Sequence, residues 1–383
     1  MKRVTLKLTT LVVLLGASYV SHAQTGSNGK INVVTSAVPF LRISPDIRSS
    51  AMGDAGIAIS ADANSVYNNI AKMPFNKAKS GLALSYSPWL RDLGVNDVYL
   101  AAINGFYKID DNQAISASLR YFNLGSIQFT DFNGNDLTTY RPKEMGIDLG
   151  FSRKLSEKFS LGIALRYINS NLAKGSVNNP SVTYKSANTV AGDIHLFHTA
   201  AKENGEGFSW GIALSNLGGK ISYTGDATQK DFIPANFGIG GAYTKVFDED
   251  NKITFALDLN KLMVPTPTND TTASGLLKYR SQGVVSSWFK SFGDASGGIS
   301  EEIQEVNASL GFEYWYANQF AFRAGYFYEN PSKGNRKYLS VGAGLKYNIF
   351  GLNFSYIFPS GSGTSRNPLS NTYRFGVVFD FDK

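Results

Sequence analysis

The chain has 383 residues, 38 of them glycine and 13% aromatic, and no cysteine, which excludes disulfides, thiolate metal sites, catalytic thiols and an acylated lipoprotein anchor. The formal charge of +7 falls to +4 once Lys2, Arg3 and Lys7 leave with the leader read below. That balance is too small to point to nucleic acid.

In chain order, Met1-Lys2-Arg3 and Lys7 precede an apolar run from Leu11 to Ala17, and Ser21-His22-Ala23 stands before Gln24. A basic start, a short apolar core and a small-residue cleavage site predict a secretory signal peptide over 1–23. No stretch approaches the roughly 20 apolar residues of a membrane-spanning helix. Residues 24–39 read as a polar periplasmic tail. Residues 40–80 do not alternate; they are dense in small residues around Met52, Gly53, Asp54 and Gly56, with Pro45 and Pro74 as breakers. This stretch reads as a plug or hatch folded inward. Its glycines are not a phosphate loop, since no lysine-serine ending follows them.

From Gly81 to the end, segments of about ten residues alternate large apolar with small or polar, the signature of barrel strands. The pattern predicts strands at 81–88, 98–109, 113–124, 143–154, 159–170, 188–201, 207–217, 235–247, 251–261, 305–317, 320–330, 337–347, 349–359 and 371–381. One face carries Ile147, Leu149, Leu165, Tyr167, Phe255 and Leu257; the other carries Gly146, Asp148, Gly150, Gly162, Arg166 and Asp258. A soluble sheet would present lysine and glutamate on its polar face rather than glycine and alanine. Apolar residues out to lipid and small residues into a crowded lumen account for both faces. The expected fold is all-β, a 14-stranded antiparallel transmembrane barrel over 81–383 with a small N-terminal plug.

Connections alternate in length. Asp110-Asp111-Asn112, Ser156-Glu157-Lys158, Asp248-Glu249-Asp250 and Asn318-Gln319 are brief, while 125–142, 171–187, 218–234 and 262–304 are long. Short periplasmic turns and long extracellular loops fit an outer-membrane barrel with both termini periplasmic. The aromatic strand closing at Phe379-Asp380-Phe381 suits insertion by barrel-assembly machinery.

Little in the chain carries reaction chemistry. His195 and His198 lie at odd spacing on one predicted strand, hence on opposite faces, and cannot share a metal. Asp193 and His195 share the inward face and are the only seed of an acid–base pair, for which a hydrogen-bonded lumen histidine is the favoured reading. Inward charges Arg120, Asp148, Arg166, Asp193, Asp258, Glu313, Arg323, Lys346 and Arg374 nearly balance, as cross-strand pairing requires. No catalytic, cofactor or metal residues are assigned. Loop 262–304 holds Val284, Val285, Trp288, Phe289 and Phe292, apolar groups that either fold over the barrel mouth as a lid or dock onto another protein.

The block Ser44-Pro45-Asp46-Ile47-Arg48-Ser49-Ser50-Ala51-Met52-Gly53-Asp54-Ala55-Gly56-Ile57-Ala58, then Asp62-Ala63-Asn64-Ser65-Val66-Tyr67, Ser87-Pro88-Trp89-Leu90-Arg91 and Asn367-Pro368-Leu369-Ser370-Asn371-Thr372, resembles the PorV family of type IX secretion barrels within the FadL superfamily. Asn68-Asn69-Ile70-Ala71 departs from the Asn-Pro-Ala core usual in relatives. The resemblance implies a non-enzymatic outer-membrane protein. It would receive secreted cargo bearing a C-terminal secretion domain from an SprA/Sov-type translocon and carry it to the attachment complex containing the PorU sortase. Besides outer-membrane lipid, these are the partners expected. The competing readings are a FadL-type transporter of hydrophobic compounds and a lipid hydrolase built on Asp193 and His195.

Overall fold

A computed structural model describes residues 32–130, 133–175, 183–226, 228–267, 270, 272–358 and 369–382. The leader expected over 1–23, the first part of the tail and Asn367-Pro368 lie outside the described residues. The strands are β1 Ser80–Pro88, β2 Val98–Lys108, β3 Gln113–Leu124, β4 Ile127–Thr130, β5 Asp136–Tyr140, β6 Lys143–Lys154, β7 Phe159–Asn171, β8 Ala187–Thr199, β9 Gly207–Gly218, β10 Asn236–Val246, β11 Asn251–Leu262, β12 Asn307–Tyr316, β13 Phe320–Tyr328, β14 Lys337–Tyr347, β15 Phe350–Ile357 and β16 Thr372–Phe381.

Fourteen of these close into one antiparallel barrel in which chain neighbours pair throughout, except that β3 pairs β6 across the separate β4–β5 hairpin. β16 closes the circle on β1, with Ser80 opposite Phe381. Closure leaves no strand edge for lipid to meet, which is what lets strands cross a membrane. All fourteen spans expected from the alternation coincide with barrel strands to within two residues at either end. The hairpin inside the 125–142 connection was not expected.

The faces follow the period of two. Leu149 and Leu165 are 65% and 75% exposed, outward toward lipid, while Asp148 and Arg166 between them are 1% and 4% exposed in the lumen. Lys346 departs from this pattern. It reaches solvent near the turn end of β14 and pairs with Asp380 at 2.7 Å, so it belongs to the rim rather than the interior.

Connections at one end of the barrel have at most seven residues (200–206), and those at the other run from 8 (329–336) to 44 (263–306). The N-terminal segment passes between these ends. Asn32 N–H donates to Ser332 O (3.1 Å) and Ala37 N–H to Phe232 O (2.8 Å), both in long connections, whereas Lys79 N–H donates to Phe381 O (3.0 Å) at the turn end. Val34 packs with Phe232, Leu262 and Val264. This corrects the expected tail: residues 32–39 sit against the long loops, opposite the C-terminus, and the chain descends through the lumen to enter β1.

Along that path it meets inward faces all around the barrel. A Cβ on Gly146 would meet Phe40 and Leu41, on Gly162 Ile70 and Ala71, on Gly240 Ile57, on Gly311 Met52, on Gly342 Ala51 and on Gly376 Ile47. Only a segment inside the cylinder can touch strands from β6 round to β16. The inward glycines are therefore the places where the wall makes room for it.

Candidate functional site

The plug is fastened by buried polar groups. Asp46 caps the short helix Ile47–Ser50 by accepting from Arg48 N–H (2.9 Å). That helix aims the Arg48 guanidinium at Glu313 on β12, donating from Nε (2.8 Å) and Nη2 (2.7 Å), and Arg323 on β13 donates to the same carboxylate (2.7 Å). All three side chains are buried, so the pairing offsets the desolvation each would otherwise suffer. Gly53 has φ +67°, in the left-handed region open to glycine, and lets its N–H reach Ser340 Oγ at 3.0 Å. Gly56 and Ile57 donate to Asp258 Oδ2 (2.6 and 2.9 Å), and Tyr338 Oη donates to Asp54 (2.5 Å). Met52 itself is fully buried against β12 and β13.

Most of the lumen charges expected to pair do so, Arg166 being held by Asp148 and by Asp193 (2.8 Å) and Arg120 by Asp148 (3.3 Å), whereas Asp258 is held by plug backbone N–H groups in place of a counter-charge. Asp193 also accepts from Asn216 N–H (2.7 Å). It is thus committed away from His195. The imidazole instead accepts from Ile70 N–H at Nδ1 (3.1 Å) and stands 3.2 Å from Ser215 Oγ at Nε2. An Nδ1 that accepts leaves the proton on Nε2. His195 fastens the plug, and His198 lies on the other face, stacked on Trp210.

The 263–306 connection holds three short helices, Ala273–Ser281, Val284–Lys290 and Ile299–Gln304, none foreseen from the sequence. It is tied down by ion pairs: Lys261 to Glu302 (2.9 Å) and Glu305 (2.5 Å), Lys333 to Glu301 (2.5 Å) and Glu305 (2.9 Å), and Arg280 to Asp231 (2.9 Å). The hydrogen bond from Lys333 holds the Glu301 carboxyl below its ordinary range.

The five apolar residues singled out in the loop divide between two faces. Val284 packs inward with Phe232 and Val264, and Trp288 is half-buried. Val285, Phe289 and Phe292 face out, 59%, 75% and 47% exposed, at spacings i, i+4 and i+7. Phe292 also meets Phe237 of β10 edge-on, ring centroids 5.9 Å apart. Sequence reasoning missed Leu276, Leu277, Ile299 and Ile303, which extend the exposed apolar surface; the i, i+4 pair of isoleucines was the signal available.

Three solved structures share the fold: the CymD monoaromatic hydrocarbon channel (TM-score 0.53, 12% identity, 89% of this chain and 98% of that one covered), the Ralstonia pickettii toluene transporter TbuX (0.52, 11%, 88% and 98%) and a TodX monoaromatic hydrocarbon channel lacking S2 and S3 (0.50, 13%, 88% and 98%). No curated protein matches the sequence closely. The family model of the type IX secretion system protein PorV matches residues 26–269, well over half of the chain. With a closed 14-stranded barrel and that match over most of its length, this chain belongs to the PorV family of outer-membrane type IX secretion components.

Proposed function

We propose that the chain is a non-enzymatic, plugged platform of type IX secretion. Its long-loop face receives proteins bearing a C-terminal secretion domain from an SprA/Sov-type translocon and passes them to the attachment complex containing the PorU sortase. The observation that carries this reading is the outward stripe of Val285, Phe289 and Phe292 on a loop held by ion pairs, above a lumen filled by the plug. Buried aromatic anchors dominate interface energies, and a large exposed apolar patch marks a docking surface. A transporter of hydrophobic compounds would need an apolar lumen; a cavity inside this barrel is lined by four arginines and five asparagines among its nineteen residues.

Deletion of 283–292 is the direct test. Gentle detergent extraction followed by affinity purification is expected to recover the very large translocon barrel and secreted cargo with the native chain and to lose them with the deletion. Unchanged recovery overturns the loop's role, and lipid alone with the native chain revives the transporter. Orientation is tested on the cysteine-free background. Thr35→Cys and Ser286→Cys are expected to react with a membrane-impermeant maleimide on intact cells, and Glu249→Cys only after the outer membrane is permeabilised. The reverse pattern would put the long loops in the periplasm.

A further inference from the structure

Between the plug and the wall of β9 to β12 lies a cavity of about 140 Å³, whose lining also includes Arg120 of β3 and Arg166 of β7. Nothing in the platform reading uses it. We infer that it is a binding site for an uncharged, hydroxyl-bearing molecule the size of one sugar ring.

The size is that of a single six-membered ring: an apolar protein cavity of roughly 150 Å³ holds benzene. The lining is the opposite of apolar. Asn307 and Ser309 sit one above the other on the inward face of β12 and are 8% and 2% exposed, yet neither side chain makes a hydrogen bond among the described residues. Asn260 on β11 accepts from Asn236 through Oδ1 (2.9 Å) and leaves Nδ2 open. Arg120 spends Nη2 on Asp148 and leaves Nη1 open, with the residue 1% exposed. Two donors, one hydroxyl and one amide therefore converge on the same space. That set suits neighbouring hydroxyls, each of which both gives and accepts a hydrogen bond. A hydrocarbon there would leave all four without partners, the arrangement that buried polar groups avoid.

Charge argues for a neutral occupant. The arginines of the lining already have carboxylates: Arg166 has Asp193 at 2.8 Å, Arg120 has Asp148 at 3.3 Å, and Arg336 and Arg42 share Glu329 at 2.8 and 3.5 Å. Two more carboxylates, Asp54 and Asp258, lie in the lining itself, each with one oxygen that has no hydrogen-bond partner among the described residues, and an added anion would be buried against them. Tyr67 and Phe327 also line the cavity, with Arg120 over the Tyr67 ring and with Tyr338 and Arg336 against the Phe327 ring. Arg42 and Arg336, with side chains 24% and 32% exposed, connect the cavity to the solvent of the long-loop end.

The test is titration of the full chain, purified in a detergent without a sugar headgroup, with free galactose, mannose, glucose and N-acetylglucosamine, read by calorimetry and by the unfolding temperature. Toluene and inorganic phosphate are the comparators. At least one sugar is expected to bind saturably, one per chain, and to raise the unfolding temperature. Asn307→Leu and the milder Ser309→Ala are each expected to weaken it at least tenfold while the barrel keeps its heat-dependent gel migration. The inference is overturned if no sugar binds, if binding survives both substitutions, or if toluene or phosphate binds in place of sugar.

Discussion

Inside the barrel Arg48 and Arg323, 7% and 4% exposed, share the carboxylate of Glu313, 1% exposed, whereas on the loop helix Val285 and Phe289 are 59% and 75% exposed. The two regions invert the usual placement of charge and oil. In the lumen, burial makes charges find partners, a counter-charge for Arg48, Glu313 and Arg323 and backbone groups for Asp258 and Lys72, and the inward glycines yield volume to the plug. On the long-loop face, ion pairs such as Lys261 with Glu305 fix the scaffold and leave apolar side chains free. The difference separates a region built to stay as it is from one whose apolar surface is completed by something else.

If the lumen is held by paired charge, breaking one pair is the largest perturbation available. Glu313→Ala leaves the buried Arg323 guanidinium without a carboxylate and Arg48 with Asp62 alone (3.2 Å), and is expected to cost about 3–5 kcal/mol, measured by urea unfolding of the barrel in micelles. A cost under about 1 kcal/mol would mean that water or another carboxylate reaches Arg48 and Arg323. Next comes volume. At Gly325 a Cβ would fall on the backbone of Met52 and Gly53, so Gly325→Ala is expected to cost about 1–3 kcal/mol by overpacking. Gly105 faces outward, and a Cβ there meets only Gly81 O at 3.5 Å and Leu82 at 3.7 Å. Gly105→Ala is its control and should stay within about 0.5 kcal/mol. Equal effects at the two glycines would remove the plug as the reason for the inward series.

The barrel was legible because period-two alternation is local, and the inward glycines made the lumen legible as crowded. What joins plug to wall was not. Arg48 and Glu313 are separated by 265 residues, and no local pattern announces such a pair. The path of residues 32–39 was misread for the same reason: a short polar stretch says nothing about which end of a cylinder it leaves from, and only contacts with Phe232 and Ser332 decide it. Helices of 9, 7 and 6 residues are too short to show a periodicity or to stand alone in water. Their apolar residues were visible, but their division into a packed face with Val284 and an open face with Phe289 depended on what Phe232 and Val264 supply. The fold of His195 into plug fastening likewise hung on Ile70, distant in sequence.

The smallest expected effect on stability discriminates best between the two regions. Replacing Val285, Phe289 and Phe292 together with serine removes apolar surface that is 59%, 75% and 47% exposed among the described residues, with Phe292 touching Phe237 and Lys261. Each exposed site is expected to change unfolding by no more than about 0.5 kcal/mol, so the barrel should remain as stable as the native chain. Co-purification of translocon and cargo should nevertheless fall sharply, because anchors buried only in the complex act on binding and not on folding. Val284→Ser is the matched control. It takes one methyl-bearing side chain from the packed face with Phe232 and Val264, and should make the loop easier to proteolyse. If the triple variant instead destabilised the loop as much as Val284→Ser does, the stripe would be part of the scaffold, and the contrast between a finished lumen and an unfinished face would fail.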